Sequence, residues 1–279
     1  MNIGIVGLGL IGGSIGLKLQ SLNHTIYGVT NNKSNKNIAS ARKLATYVSC
    51  NLGILDKCSL IILALPIKDL ICPSKELIEA IPKEAVLTDV GSVKEPIVNT
   101  WEKIHPLFVG SHPMAGTEKR GVNSGFETLL DYSKWIITPT KYTNQNAIKI
   151  LTNLVKSMNC EILQTIPKEH DKAVALISHL PIFISSCLLE TSNINRNKSL
   201  LQFAQKIAST GFEDTTRVGG GNPYLGLDLA KNNQANLLES IKMFKNNMDF
   251  IERNIRDENW ELVYENLEKS NSIRRKFCK

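Results

Sequence analysis

Residues 3–12 read Ile3-Gly4-Ile5-Val6-Gly7-Leu8-Gly9-Leu10-Ile11-Gly12, a β-branched run that passes directly into glycines spaced Gly-x-Gly-x-x-Gly. The residues that follow, 11–21, carry a helix-like pattern, so the glycines lie between a strand and a helix. Each glycine has a physical task there. Gly7 permits the tight turn, Gly9 lets a pyrophosphate approach the backbone, and Gly12 lets the helix pack on the strand. Free amides at the helix start face the phosphates, where the helix dipole favours negative charge. The whole segment Gly7, Leu8, Gly9, Leu10, Ile11 and Gly12 is therefore the expected cradle of a dinucleotide.

Outward from that cradle, short β-branched runs alternate with longer amphipathic stretches through about residue 165, as in βαβ units of a parallel sheet. Strands are expected at 3–6, 25–29, 60–64, 85–88, 107–109, 135–138 and 161–163, with helices at 11–21, 70–80 and 146–157. Beyond Pro167 the strand signals stop and helical periodicity continues to the end. The expected fold is α/β: a Rossmann-type doubly wound parallel sheet at 1–167, followed by an all-α C-terminal dimerisation domain at 168–279. Within the second part Leu237, Ile241, Phe244, Met248, Ile251 and Ile255 recur at spacings of four and three, a narrow apolar seam suited to another helix and compatible with a homodimer.

The totals agree with a globular protein. The chain has 279 residues, is 42% hydrophobic and 21% charged, and carries a formal net charge of +7, enough apolar content to bury a core. Its basic residues are scattered, and the cluster Arg274, Arg275 and Lys276 lacks interleaved aromatics, so nucleic acid is not an expected partner. A diffuse positive field suits small anionic ligands. The six cysteines form no CxxC pair and are expected to be reduced thiols in a cytoplasmic protein. Residues 173–189 approach the length of a membrane span, about 17–25 residues, but include Ser178, His179, Pro181, Ser185 and Ser186; a buried core helix is expected there, and no membrane partner.

A dinucleotide-binding unit that takes NAD usually carries Asp or Glu at the end of its second strand, about 20 residues past the glycines. Here that stretch is Thr30, Asn31, Asn32 and Lys33. Without a carboxylate nothing repels a 2′-phosphate; Thr30 offers a hydrogen bond and Lys33 a charge, which favours NADP over NAD. Further candidate ligand positions follow the expected strands: Leu65 and Pro66; Asp89, Gly91 and Ser92; and the run Gly110-Ser111-His112-Pro113-Met114-Ala115-Gly116-Thr117-Glu118. A histidine in a Gly-Ser-His-Pro turn has no apolar face to pack, so His112 reads as chemical rather than structural. His24, His105 and His170 have no comparable context and read as surface or structural residues.

These segments resemble the prephenate and arogenate dehydrogenases of tyrosine biosynthesis. The run 110–118 is similar to that family's active-site loop, residues 89–94 to its serine-bearing loop, Ser178-His179-Leu180-Pro181 to its helical-domain signature, and Gly211-Phe212-Glu213-Asp214-Thr215-Thr216-Arg217 to its substrate-carboxylate segment. The resemblance covers nearly the whole chain. It implies oxidation of a ring alcohol by hydride transfer to nicotinamide with loss of the ring carboxylate as carbon dioxide, and no metal. It further implies His112 as base, Ser92 as the group orienting it, Arg217 on the ring carboxylate, His179 at the substrate side chain, Thr117 in the substrate loop, and Glu118 and Asp214 as an ionic gate with Arg217. Ile182 stands where many relatives carry a second histidine, and Val218-Gly219-Gly220-Gly221-Asn222-Pro223 is richer in glycine than the commoner pattern.

The expected activity is conversion of arogenate to tyrosine with NADP. An NAD(P)-dependent prephenate dehydrogenase giving 4-hydroxyphenylpyruvate is the alternative. More remote are a β-hydroxyacid dehydrogenase, which would be expected to place a catalytic Lys on a helix after the sheet where here the polar cluster centres on His112, and a non-catalytic NADP-binding dimeric sensor, which would have no need of Ser92, His112 and Arg217 together. With the chain ending at Lys279, any tyrosine feedback is expected to act at the active site or the dimer interface.

Overall fold

The computed structural model describes residues 1–117, 119–193 and 198–277. The first half alternates strand and helix: β1 (Asn2–Val6), α1 (Leu10–Ser21), β2 (Thr25–Val29), α2 (Lys33–Ala41), β3 (Tyr47–Ser49), β4 (Leu60–Leu63), α3 (Ile67–Ile71), α4 (Lys75–Ala80), β5 (Val86–Asp89), α5 (Glu95–Ile104) and β6 (Phe108–Val109). These strands form a six-stranded parallel sheet in the order β3-β2-β1-β4-β5-β6, the doubly wound order whose crevice lies where the strand sequence reverses. Alternation along the strands explains the two covered faces. Ile3 and Ile5 of β1 join Leu60 and Ile62 of β4 in one core, while Val6, Ile61 and Leu63 join Leu87, Ile97 and Trp101 in another.

A second, three-stranded sheet follows: β7 (Ser111–Pro113), β8 (Lys134–Ile137), then α6 (Gln145–Ser157) and β9 (Glu161–Gln164). β7 and β8 run antiparallel and β8 and β9 parallel, with α6 as the crossover. The runs at 135–138 and 161–163 are thus strands as expected, but they belong to this sheet rather than extending the first. The single helix expected at 70–80 is two helices. Pro73 disfavours helical geometry at Cys72, and the Ser74 hydroxyl then caps α4 by accepting from the Leu77 amide at 3.2 Å.

The remaining chain is helical: α7 (Pro167–Val174), a π-helical turn at Ala175–His179, α8 (Leu180–Asn193), α9 (Lys198–Ile207), α10 (Thr210–Thr216), α11 (Pro223–Asn232), α12 (Gln234–Arg256) and α13 (Trp260–Phe277). Two compact units divide the chain at 1–233 and 234–279. In the second, α12 packs on α13, and the expected seam splits: Leu237 is buried, whereas Met248 and Ile255 are about half exposed. The expectation of a buried core helix over 173–189 is corrected. Residues 167–193 are long and apolar enough to cross a membrane by length and composition, yet little of that surface is buried within the chain, and Leu176 and Ile177 stand exposed. Its first half nevertheless supplies the buried polar residues His170, Asp171 and His179.

Candidate active site

The glycine segment fits a dinucleotide. Gly7 has φ +97°, a conformation open to glycine, and its carbonyl oxygen lies 1.9 Å from where a Cβ on residue 12 would stand. A Cβ on Gly9 would meet nothing within 4 Å, so that glycine faces the open space a pyrophosphate would fill. Gly9 also caps α1 without a side-chain bond, and the first turn of α1 holds no carboxylate to oppose an anion. Leu8 is itself buried against Gly28, and Leu65 borders Gly7. Pro66 is exposed at the start of α3.

At the end of β2, Thr30 is buried, with its hydroxyl 3.4 Å from the Asn32 carbonyl oxygen. Asn32 caps α2, its side chain accepting from the Asn35 amide at 2.8 Å, while Asn31 accepts from the Asn35 side chain at 2.9 Å. Lys33 is exposed. Both asparagine side chains thus make local hydrogen bonds at the start of α2.

The most elaborate construction surrounds His112. Asp89, at the end of β5, accepts from the Gly91 amide at 2.8 Å and the Ser111 amide at 3.2 Å, and pairs with the Lys94 ammonium. Lys94 also donates to the Ser111 carbonyl at 2.7 Å, and Ser111 returns a hydroxyl bond to the Asp89 carbonyl at 2.8 Å. Asp89 and Lys94 are fully buried, so each charge depends on the other. Burial pushes the Lys94 pKa down against the opposing pull of Asp89. This buried lattice fixes the start of β7, and with it the backbone of His112.

The His112 ring is held from a different element. Its Nδ1 lies 2.9 Å from His170 Nε2, with the rings edge-on and their centroids 5.1 Å apart. His170 Nδ1 lies 2.8 Å from Asp171 Oδ1. Asp171 also accepts from the amides of Lys94, at 2.6 Å, and Glu95, at 2.8 Å, so its carboxylate caps α5 from across the fold. Burial, reinforced by His170, Lys94 and His179, drives the pKa of the partly exposed His112 ring well below its ordinary 6.5. The ring is accordingly neutral at cellular pH.

His179 joins the same cluster through Asn233, whose side-chain amide donates to the Asp171 carbonyl at 2.8 Å and lies 3.2 Å from His179 Nδ1. The His179 ring is fully buried, which depresses its pKa to about 4. Its Nε2 faces the Ser92 backbone but completes no hydrogen bond among the described residues. It is a buried donor turned toward the serine loop.

Not every expected contact forms. Ser92 lies in the loop between Asp89 and Lys94 and is half-buried, but the partner of His112 Nδ1 is His170, not Ser92. Thr117 is exposed, and its hydroxyl accepts from the Lys119 amide at 3.2 Å. Asp214 on α10 and Arg217 at its end are both exposed, and no ion pair among the described residues joins Arg217 to Asp214 or Glu213. Glu118 lies outside the described residues. Beyond it, the loop returns over α1: Arg42 donates to the Val122 and Gly125 carbonyls at 2.6 Å, and Ser14 accepts from the Phe126 amide at 2.9 Å. Arg120 donates to Asn222 at 2.9 Å, tying this loop to the glycine-rich turn after Arg217. In that turn Gly219 packs so tightly on α8 that a Cβ would come within 2.4 Å of the Ser186 amide nitrogen.

The family model described as "Prephenate dehydrogenase, nucleotide-binding domain" matches residues 15–164, and that described as "Prephenate dehydrogenase, dimerization domain" matches 166–269. The chain belongs to the prephenate dehydrogenase family. A prephenate dehydrogenase of Bacillus subtilis (strain 168) is 30% identical over 270 residues, spanning 93% of this chain and 71% of that protein. The crystal structure of Synechocystis arogenate dehydrogenase matches with TM-score 0.84 and 35% identity, over 99% of this chain and 100% of that one. That of prephenate dehydrogenase from A. aeolicus, in complex with hydroxyphenyl propionate and NAD+, matches with TM-score 0.91 and 26% identity, over 99% and 98%. The parallel-sheet domain followed by helices is the architecture of the family, and the protein is an oxidoreductase using a nicotinamide dinucleotide.

Proposed function

We propose that this family member converts arogenate to tyrosine with NADP, with His112 as the base. The supporting observation is the His112 ring itself: neutral, partly exposed, and held at Nδ1 so that Nε2 is left for a substrate hydroxyl. The hydroxyl proton goes to that nitrogen as the ring carbon is oxidised, and loss of the carboxylate as carbon dioxide restores aromaticity. Bound NADP supplies the hydride acceptor, held by the amides around Gly7, Gly9 and Gly12. Arg217, exposed and without an ion pair among the described residues, is the cation for the ring carboxylate. Ser92 and Thr117 are assigned to the substrate's surroundings, with the buried His179 contacting the serine loop, and the family resemblance is what supports a gate of Glu118 and Asp214 with Arg217.

The choice of NADP rests on Thr30 and Lys33 standing where an NAD enzyme places a carboxylate, and the choice of arogenate on the end-to-end likeness to an arogenate dehydrogenase. The likeness to a prephenate dehydrogenase bound to NAD+ supports prephenate as the second reading. A homodimer through the helical part is part of the proposal. Leu200, Phe203, Ile207, Trp260, Leu267 and Phe277 are exposed apolar side chains on α9 and α13, more than a lone chain would leave in water.

A Michaelis analysis of wild type and Arg217→Ala with arogenate and NADP tests the reading. Wild type should turn over. The variant should show a KM for arogenate raised by roughly 10- to 100-fold, the effect of losing a charge-assisted bidentate contact, with a smaller change in kcat. An unchanged KM would return Arg217 to a solvated surface cation.

A further inference from the structure

His170 and Asp171 have no role in the chemistry above, yet they are nearly completely buried, and His170 touches the base directly. Their hydrogen bonds determine where the protons sit. Both Asp171 carboxylate oxygens accept from backbone amides at the start of α5, and Oδ1 also faces His170 Nδ1, which carries the proton between them. With its single ring proton at Nδ1, His170 presents Nε2 as an acceptor, and His112 Nδ1 is the donor to it. His112 Nε2 is left as a lone pair, the form a base needs. Asp171 therefore selects the working tautomer of a ring it does not touch.

The same chain of bonds offers a place for charge. Groups facing His112 are the Lys94 ammonium, paired with Asp89, and the rings of His170 and His179, and none of these welcomes a positive charge on His112. On His170 that charge would lie against the Asp171 carboxylate, 2.8 Å away.

Resting on the reading of His112 as base, we propose that His112, His170 and Asp171 form a two-proton relay. The substrate hydroxyl gives its proton to His112 Nε2, and the Nδ1 proton of His112 passes to His170 Nε2. His112 ends neutral with its proton on the substrate side, and the positive charge rests on His170 beside Asp171. No electrons move along the relay. The proton returns by the same bonds and leaves through His112 after product departs. His170 and Asp171 are positioning residues, since they act through His112.

Ring 15N resonances of the full-length enzyme without substrate report the tautomers directly, independently of turnover. Both His112 and His170 are expected as Nδ1–H tautomers. In Asp171→Asn the side-chain amide donates to His170 Nδ1, so both rings should flip to Nε2–H, and kcat should fall by about 10²-fold or more with dinucleotide affinity retained. His170→Gln is the second variant, because Asp171 also caps α5. Its oxygen still accepts from His112 Nδ1 but takes no proton, so the His112 tautomer should persist while kcat drops about tenfold or more at unchanged KM. The solvent isotope dependence of kcat should change from two protons to one. An Nε2–H tautomer on wild-type His112, or His170→Gln turning over at the wild-type rate, overturns the relay. Wild-type turnover in a His112 variant would instead remove the base, leaving the ring tautomers as measured.

Discussion

His112→Asn is expected to lower turnover of arogenate with NADP by about 10²- to 10³-fold, with dinucleotide binding preserved. Asparagine can still donate to His170 Nε2 and keep β7 in place, since the strand is fixed by Asp89, Lys94 and Ser111 through backbone groups. What it lacks is a nitrogen that can take a proton. The pH profile carries the same information with a definite sign. Because burial, reinforced by His170, Lys94 and His179, holds the His112 pKa well below 6.5, kcat/KM of the wild type should stay level as pH falls through 6.5 and decline only at lower pH. That acidic decline should be absent from the residual activity of the variant. Turnover within a few fold of wild type would remove His112 from the chemistry.

Gly12→Ala is the second large effect. The added Cβ would stand 1.9 Å from the Gly7 carbonyl oxygen and 2.9 Å from the Ala64 Cβ, and Gly7 cannot easily yield because its φ of +97° already fixes the turn. Overpacking of this kind costs about 1–3 kcal/mol, and the distorted loop should lose NADP affinity by about tenfold or more. Gly9→Ala separates the two consequences. Its Cβ points into open space, so thermal stability should change little while the pyrophosphate is still obstructed. Melting curves and NADPH fluorescence titrations of both variants decide this: equal melting temperatures would show that Gly12 is not a packing glycine.

The parts of the fold that the sequence expresses as periodicity were legible. β1, the glycine turn and α1 are contiguous in sequence, and Gly7 and Gly12 are explained by their contacts with each other and with Ala64 on the neighbouring strand's end. The second sheet was not, because a strand run at 135–138 reads the same whether it pairs with β6 or with β7, and its pairing with β7 is a contact between segments distant in sequence. The exposed surface of residues 167–193 shows a related limit. An apolar helix records that it must be covered, not which chain covers it.

At the site, His112 was legible because a polar turn is a poor setting for a structural histidine, whereas His170 was passed over because its neighbours in sequence say nothing of its neighbours in space. One local signal was present. Pro167, His170, Asp171, Val174 and Ala175 share the buried face of a helix, and charged residues on such a face require partners. The resemblance implies Ser92 as the group orienting His112, whereas the partner of His112 Nδ1 in the structure is His170 on α7. Asn31 and Asn32 illustrate the reverse case: both were read toward cofactor, and both make local hydrogen bonds at the start of α2.

The most direct test is the initial rate of reduced-cofactor formation by the purified chain in four mixtures, pairing NADP or NAD with arogenate or prephenate, with carbon dioxide measured alongside. NADP with arogenate should be the fastest by about tenfold or more, a discrimination of the size one charged or hydrogen-bonded group supplies, with one carbon dioxide released for each NADPH. Silence in all four mixtures, or reduction of cofactor without carbon dioxide, would contradict the account.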